Sequence, residues 1–68
     1  MKPIKMRINI EYHGKTYFEG DIINIKSLKK EDLPMIGIFN EKGYIEPLTL
    51  KDLYELNEVV NKGGKYEV

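Results

Sequence analysis

The chain has 68 residues, 11 basic and 11 acidic side chains, one His and no Cys. That length holds one domain, expected over 1–68, and the missing Cys excludes a disulfide staple or a Cys/His zinc site. A core of this size contributes only ~3–5 kcal/mol, so close packing or self-association has to supply the rest.

Charge is unevenly spread along the chain. Residues 1–30 hold seven Lys/Arg against three Asp/Glu, and residues 31–68 hold four against eight. No run approaches the ~18 apolar residues of a membrane span. The first ten residues are interrupted by Lys5, Arg7 and Asn9, so they do not read as a signal peptide. A soluble, cytoplasmic chain without a membrane partner is the expectation, and the lack of Cys agrees with it.

Residues 4–12 alternate without a fault. Ile4, Met6, Ile8, Ile10 and Tyr12 point one way; Lys5, Arg7, Asn9 and Glu11 point the other. Period two predicts one strand with one buried face. His13-Gly14 predicts a tight turn, Lys15 to Phe18 the return strand, Gly20-Asp21 a second turn or bulge, and Ile22 to Lys26 a third strand. Ser27 is the expected cap of a short helical turn over 28–33. Residues 35–48 read in two ways. The favoured one is a hairpin, with Met35–Phe39 paired to Tyr44–Leu48 across "NEKG". The other is a helix capped by Asp32, with Pro34 in its first turn, Leu33, Ile36 and Phe39 on one face, and Gly43 as its stop.

The last element is an amphipathic helix over 50–62. Thr49 caps it, with Asp52 in the capping-box position and Leu48 and Leu53 placed for a hydrophobic staple. Leu50, Leu53, Leu56 and Val60 form its expected core face. Glu58 and Lys62 stand four apart in the favourable order, and Gly63-Gly64 is the expected end. The tail 63–68 reads as frayed or as a short added strand. The fold class is therefore α+β: a small antiparallel sheet or SH3-like partial barrel over 4–48 with one C-terminal amphipathic helix.

The chemistry-bearing residues read mostly as structure. A phosphate loop needs glycines between a strand and a helix N-terminus; Gly14 and Gly20 lie between strands. His13 stands alone in a turn, Asp21 after Gly20 is ordinary turn chemistry, and Ser27 has no nucleophile elbow. No enzymatic role, metal or cofactor is expected. The aromatics Tyr12, Tyr17, Phe18, Phe39 and Tyr44 cluster in the β part, some as core and some as interface anchors.

The run Tyr12-x-Gly14-x-x-Tyr17-x-x-Gly20-Asp21-x-Ile23-x-Ile25, followed by Gly43-Tyr44-Ile45-Glu46, resembles the small β-rich N-terminal domain of Mu-like prophage proteins over about residues 8–48. The resemblance implies two strands, a helical segment and a returning strand at "GYIE". It also implies a phage or mobile-element origin, a binding role, and no catalytic residues.

The functional expectation is a small non-catalytic protein-binding module, acting as a virion or assembly accessory or as an inhibitor of a host protein in the host cytoplasm. Its candidate partner-binding residues are Lys5, Arg7, Tyr17, Tyr44, Asp52, Glu55 and Glu58. The acids Asp52, Glu55 and Glu58 on one helix face would suit a phosphate-mimicking inhibitor, or are simply solvated. A homodimer through the edge of strand 4–12 is a further expectation. The alternative class is a nucleic-acid-binding small β-barrel that uses Lys5, Arg7, Lys15 and Tyr17.

Overall fold

The computed structural model describes residues 2–66, with side chains through Asn61. Strand β1 (Ile4–Lys5) pairs antiparallel with β4 (Ile22–Ile23), placing Ile4 opposite Ile23 and Lys5 opposite Ile22. Strands β2 (Ile10–Tyr12) and β3 (Lys15–Tyr17) form a second antiparallel pair. The expected single strand over 4–12 is thus two strands in two sheets. Its first half is held on both edges. Met6 N–H donates to Asp21 O at 2.8 Å, while Arg7 N–H donates to Tyr44 O at 2.8 Å and Glu46 N–H to Lys5 O at 2.9 Å. The chain then turns a corner at 7–9, leaving Ile8 exposed, and Asn9 Oδ1 accepts Glu19 N–H at 2.8 Å. Such corners let a strand switch sheets and wrap one small core. The edge of β1 is therefore occupied, and the expected homodimer contact along an open strand 4–12 loses its first half.

Both expected turns form. His13 and Gly14 take φ of 50° and 80°, the two positive values of a type I′ hairpin turn. At the second turn, Asp21 N–H closes on Phe18 O at 3.0 Å. Gly20 sits at φ 91°, which a side chain would disfavour. Gly20 N–H donates to Met6 O while Met6 N–H donates to Asp21 O, so two residues face one across the ladder. This is a β-bulge, and it sharpens the local twist.

Ser27, expected to cap a turn over 28–33, is instead the last residue of an earlier turn, and the turn within 28–33 starts from Lys29. A 3-10 turn over Ile25–Ser27 follows Asn24, whose side chain accepts Lys26 N–H, and the Ser27 hydroxyl donates back to Asn24 O at 2.9 Å. A second 3-10 turn over Lys30–Asp32 is closed by Asp32 Oδ2, which accepts Lys29 N–H at 2.9 Å. Helix α1 (Leu33–Lys42) follows, so the hairpin favoured for 35–48 is corrected to the helical reading. Pro34 has its missing N–H in the first turn, where no bond is due. Gly43, at φ 76°, ends the helix; its N–H reaches Asn40 O, and Tyr44 N–H reaches Phe39 O at 2.8 Å. That is the Schellman closure, with Tyr44 packed on Phe39 as its apolar contact. Ile45 then bridges Met6 in antiparallel sense.

Helix α2 (Leu50–Tyr66) begins at the expected capping box, with Asp52 N–H donating to Thr49 Oγ1 at 3.1 Å and Thr49 N–H to Asp52 Oδ2 at 3.0 Å. The linker is fixed from α1: Leu48 N–H donates to Asn40 Oδ1 at 2.9 Å, and Asn40 Nδ2 donates to Leu48 O. The helix passes through Gly63-Gly64, where it was expected to stop; glycine weakens a helix by about 1 kcal/mol without forbidding it. The Glu58–Lys62 pairing and the tail residues 67–68 lie outside what is described. The core joins Ile4, Met6, Tyr17, Ile36, Phe39, Ile45, Leu48, Leu56 and Val60 between the strands and the two helices. The architecture is α+β, with two α-helices where one was expected.

Candidate functional site

The seven candidate residues do not assemble into one patch. Lys5 and Arg7 are exposed, alternating with buried Ile4 and Met6. Tyr17 is only 8% exposed; its hydroxyl donates to Met35 Sδ at 3.6 Å, its ring meets Phe39, and the Lys15 ammonium lies 5.3 Å above it. Tyr44 is half-buried against Phe39 and shares a main-chain bond with Arg7. With Tyr12 also edge-on to Phe39, three tyrosines ring one phenylalanine. Tyr17 and Phe39 are core and Tyr12 and Tyr44 are half-buried against them, so Tyr17 offers no open face for base stacking.

The acidic helix face divides in the same way. Asp52 serves the cap. The Thr49 main-chain N–H beside it, then the Thr49 hydroxyl and the Lys2 charge, hold its carboxyl below the ordinary 3.8 against the opposing effect of desolvation. Lys2 Nζ stands 3.8 Å from it. Glu55 is half-buried and Glu58 exposed. Asp21 works in its turn, with Oδ2 accepting Phe18 N–H at 2.9 Å, and the His13 ring packs edge-on to Tyr12.

Two features emerge that sequence reasoning missed. The first lies along α2. Leu53, Leu56 and Val60 face the core, but Leu50 is 85% and Tyr54 72% exposed. Leu50 was expected in the core. It lies roughly 90° round the helix from the centre of the 53–56–60 stripe, by the 3.6-residue period. Leu50, Tyr54, Asn57 and Asn61 instead recur at spacings of four, three and four, a second stripe that the same arithmetic could have found. Asn61 Nδ2 donates to Asn57 Oδ1 at 3.3 Å along it.

The second feature is a cleft of about 400 Å³ between the β3 side and the β4 side. Consecutive strands usually pair, but β3 and β4 belong to different sheets. Tyr17, Ile23, Leu28 and Met35 supply apolar lining; Lys15, Asp21, Ser27 and Asp32 supply polar lining. Its origin is the Gly20-Asp21 bulge, which delivers β4 to β1 and leaves β3 with β2 alone.

No family model matches the chain, and comparisons with curated proteins and with solved structures return no significant match. Among the described residues no helix is long and apolar enough to cross a membrane, and no group of three or more His, Cys, Asp or Glu is placed to hold a metal ion.

Proposed function

We propose that the chain is a small non-catalytic protein-binding module, encoded by a phage or mobile element and working in the host cytoplasm, either in virion assembly or against a host protein. The observation that carries this reading is the Leu50–Tyr54 pair. Two large apolar side chains stand one turn apart, 85% and 72% exposed, on a helix whose Leu53–Leu56–Val60 face is packed on the core. Tyr is a preferred anchor of protein interfaces, and a rigid helix presents it at low entropic cost. The resemblance of residues 8–48 to the prophage domain supports the origin.

The test is capture of a partner from host-cell extract on the immobilised chain, then binding of the purified partner. Leu50→Ser with Tyr54→Ser is expected to abolish that binding and leave the melting curve in place, since exposed positions move stability by only about 0.5 kcal/mol. A purified partner that binds the double variant as tightly as the parent overturns the Leu50–Tyr54 assignment. Tight binding of single-stranded nucleic acid, with no protein partner, overturns the class.

A further inference from the structure

We propose that the cleft between β3 and β4 is a second binding site, distinct from the α2 stripe, which takes an extended peptide segment carrying one basic side chain. The hydrogen-bond register argues for an extended occupant. Tyr12 and Lys15 flank the two-residue turn and form its bonded pair, so the next pair, Glu11 with Thr16, is a non-bonded one. Thr16 therefore aims its N–H and C=O away from β2. On the other strand Asp21 O accepts Met6 N–H, so Lys5 and Ile22 form the non-bonded pair and Ile22 aims its main-chain groups away from β1. Thr16 and Ile22 both line the cleft. Two open main-chain edges border one space, which is the requirement for adding a strand. A strand placed there alternates its side chains, and those turned inward meet Tyr17, Leu28 and Met35.

Charge selects the residue that accompanies them. The lining holds two carboxylates, Asp21 and Asp32, and one ammonium, Lys15, which lies over the Tyr17 ring. Each carboxylate is fixed by a main-chain N–H on Oδ2, from Phe18 to Asp21 and from Lys29 to Asp32. Their positions are thus set before any ligand arrives, and a cation gains without reorganising them. The exposed lysines of the 3-10 turns, Lys26, Lys29 and Lys30, do not line the cleft. A phosphate backbone would meet both carboxylates at close range, which sets nucleic acid aside for this site.

The experiment is selection of a random displayed peptide library on the intact chain, then titration of the best synthetic peptide. The expected peptides carry one Lys or Arg with apolar residues two positions away, and on binding they slow amide exchange at Thr16 and Ile22. Asp21→Asn with Asp32→Asn keeps an acceptor for each turn and removes the charge; it should weaken binding about tenfold or more. If that double variant melts early, Thr16→Pro serves in its place, because it deletes only an outward N–H on an edge strand. Lys30→Gln, outside the lining, should leave binding unchanged. A selection that yields no peptide, peptides with no basic enrichment, or protection confined to the Leu50–Tyr54 side of α2 each overturn the inference. The last result would leave the protein-binding reading standing.

Discussion

Phe39 is the centre of the fold, and replacing it with Leu isolates what its ring contributes. The side chain is fully buried, with Tyr12, Tyr17 and Tyr44 edge-on at centroid distances of 5.2, 5.6 and 5.8 Å. An edge-to-face pair adds ~0.5–1.5 kcal/mol beyond area burial. The three pairs share one ring, so they do not add fully, and Phe39→Leu should cost about 2–4 kcal/mol. The whole stability expected of 68 residues is roughly 3–10 kcal/mol. A loss of that order lowers the melting temperature by ~10 °C or more. The control is Ile36→Val, in the same helix and equally buried, which should cost only ~0.5–1.5 kcal/mol. Urea unfolding followed by circular dichroism gives both values at constant m. A Phe39→Leu cost no larger than that of Ile36→Val would refute the three-tyrosine argument.

Thr49→Ala removes the α2 cap and should cost ~0.5–2 kcal/mol by the same measurement. Asp52 is held below its ordinary value in the folded chain, so its contribution is full above that value and is lost as pH falls through the lowered one. The melting-temperature gap between the parent and Asp52→Asn should therefore close in acid and persist at neutral pH. Leu56→Ala, at a 1% exposed position, should cost ~2–5 kcal/mol, whereas Leu50→Ala should change stability by no more than about 0.5 kcal/mol. An added Cβ meets nothing within 4 Å at either Gly20 or Gly37, so backbone conformation alone separates the two. Gly37→Ala in α1 should stabilise by ~0.5–1 kcal/mol and Gly20→Ala should destabilise by ~1–3 kcal/mol, as thermal melts would show.

What was legible in the sequence was local chemistry. The Thr49–Asp52 box, the 53–56–60 stripe and the turns at His13-Gly14 and Gly20-Asp21 each depend on residues within a few positions of one another. What was not legible depended on distant partners. The letters alternate unbroken over 4–12 because Met6 and Ile10 face one core from different sheets, but the corner at 7–9 between them turns Ile8 out to solvent. The letters "NEKG" end a helix as readily as they turn a hairpin, since a left-handed Gly43 serves both; the decision came from Ile36 and Phe39 sharing a helical face. Residue type alone also placed Tyr17 at an interface, where packing on Phe39 has made it core, while Tyr44 packs on Phe39 and stays half-buried.

The cleft shows why a binding feature can be invisible in a motif and still follow from the chain. Its cause is one glycine. Gly20 permits a turn and a bulge together, so the chain leaves β3, passes Met6 two residues against one, and runs on beside β1. That extra residue turns the strand after the turn away from β3. With it, β1 takes β4, the corner at 7–9 holds β2 and β3 apart in their own sheet, and both edges are left facing one space. The opening is thus tied to the same residues that close the core. Enlarging Gly20 should disturb stability and cleft together, while removing charge at Asp21 and Asp32 should disturb the cleft's ligand preference alone.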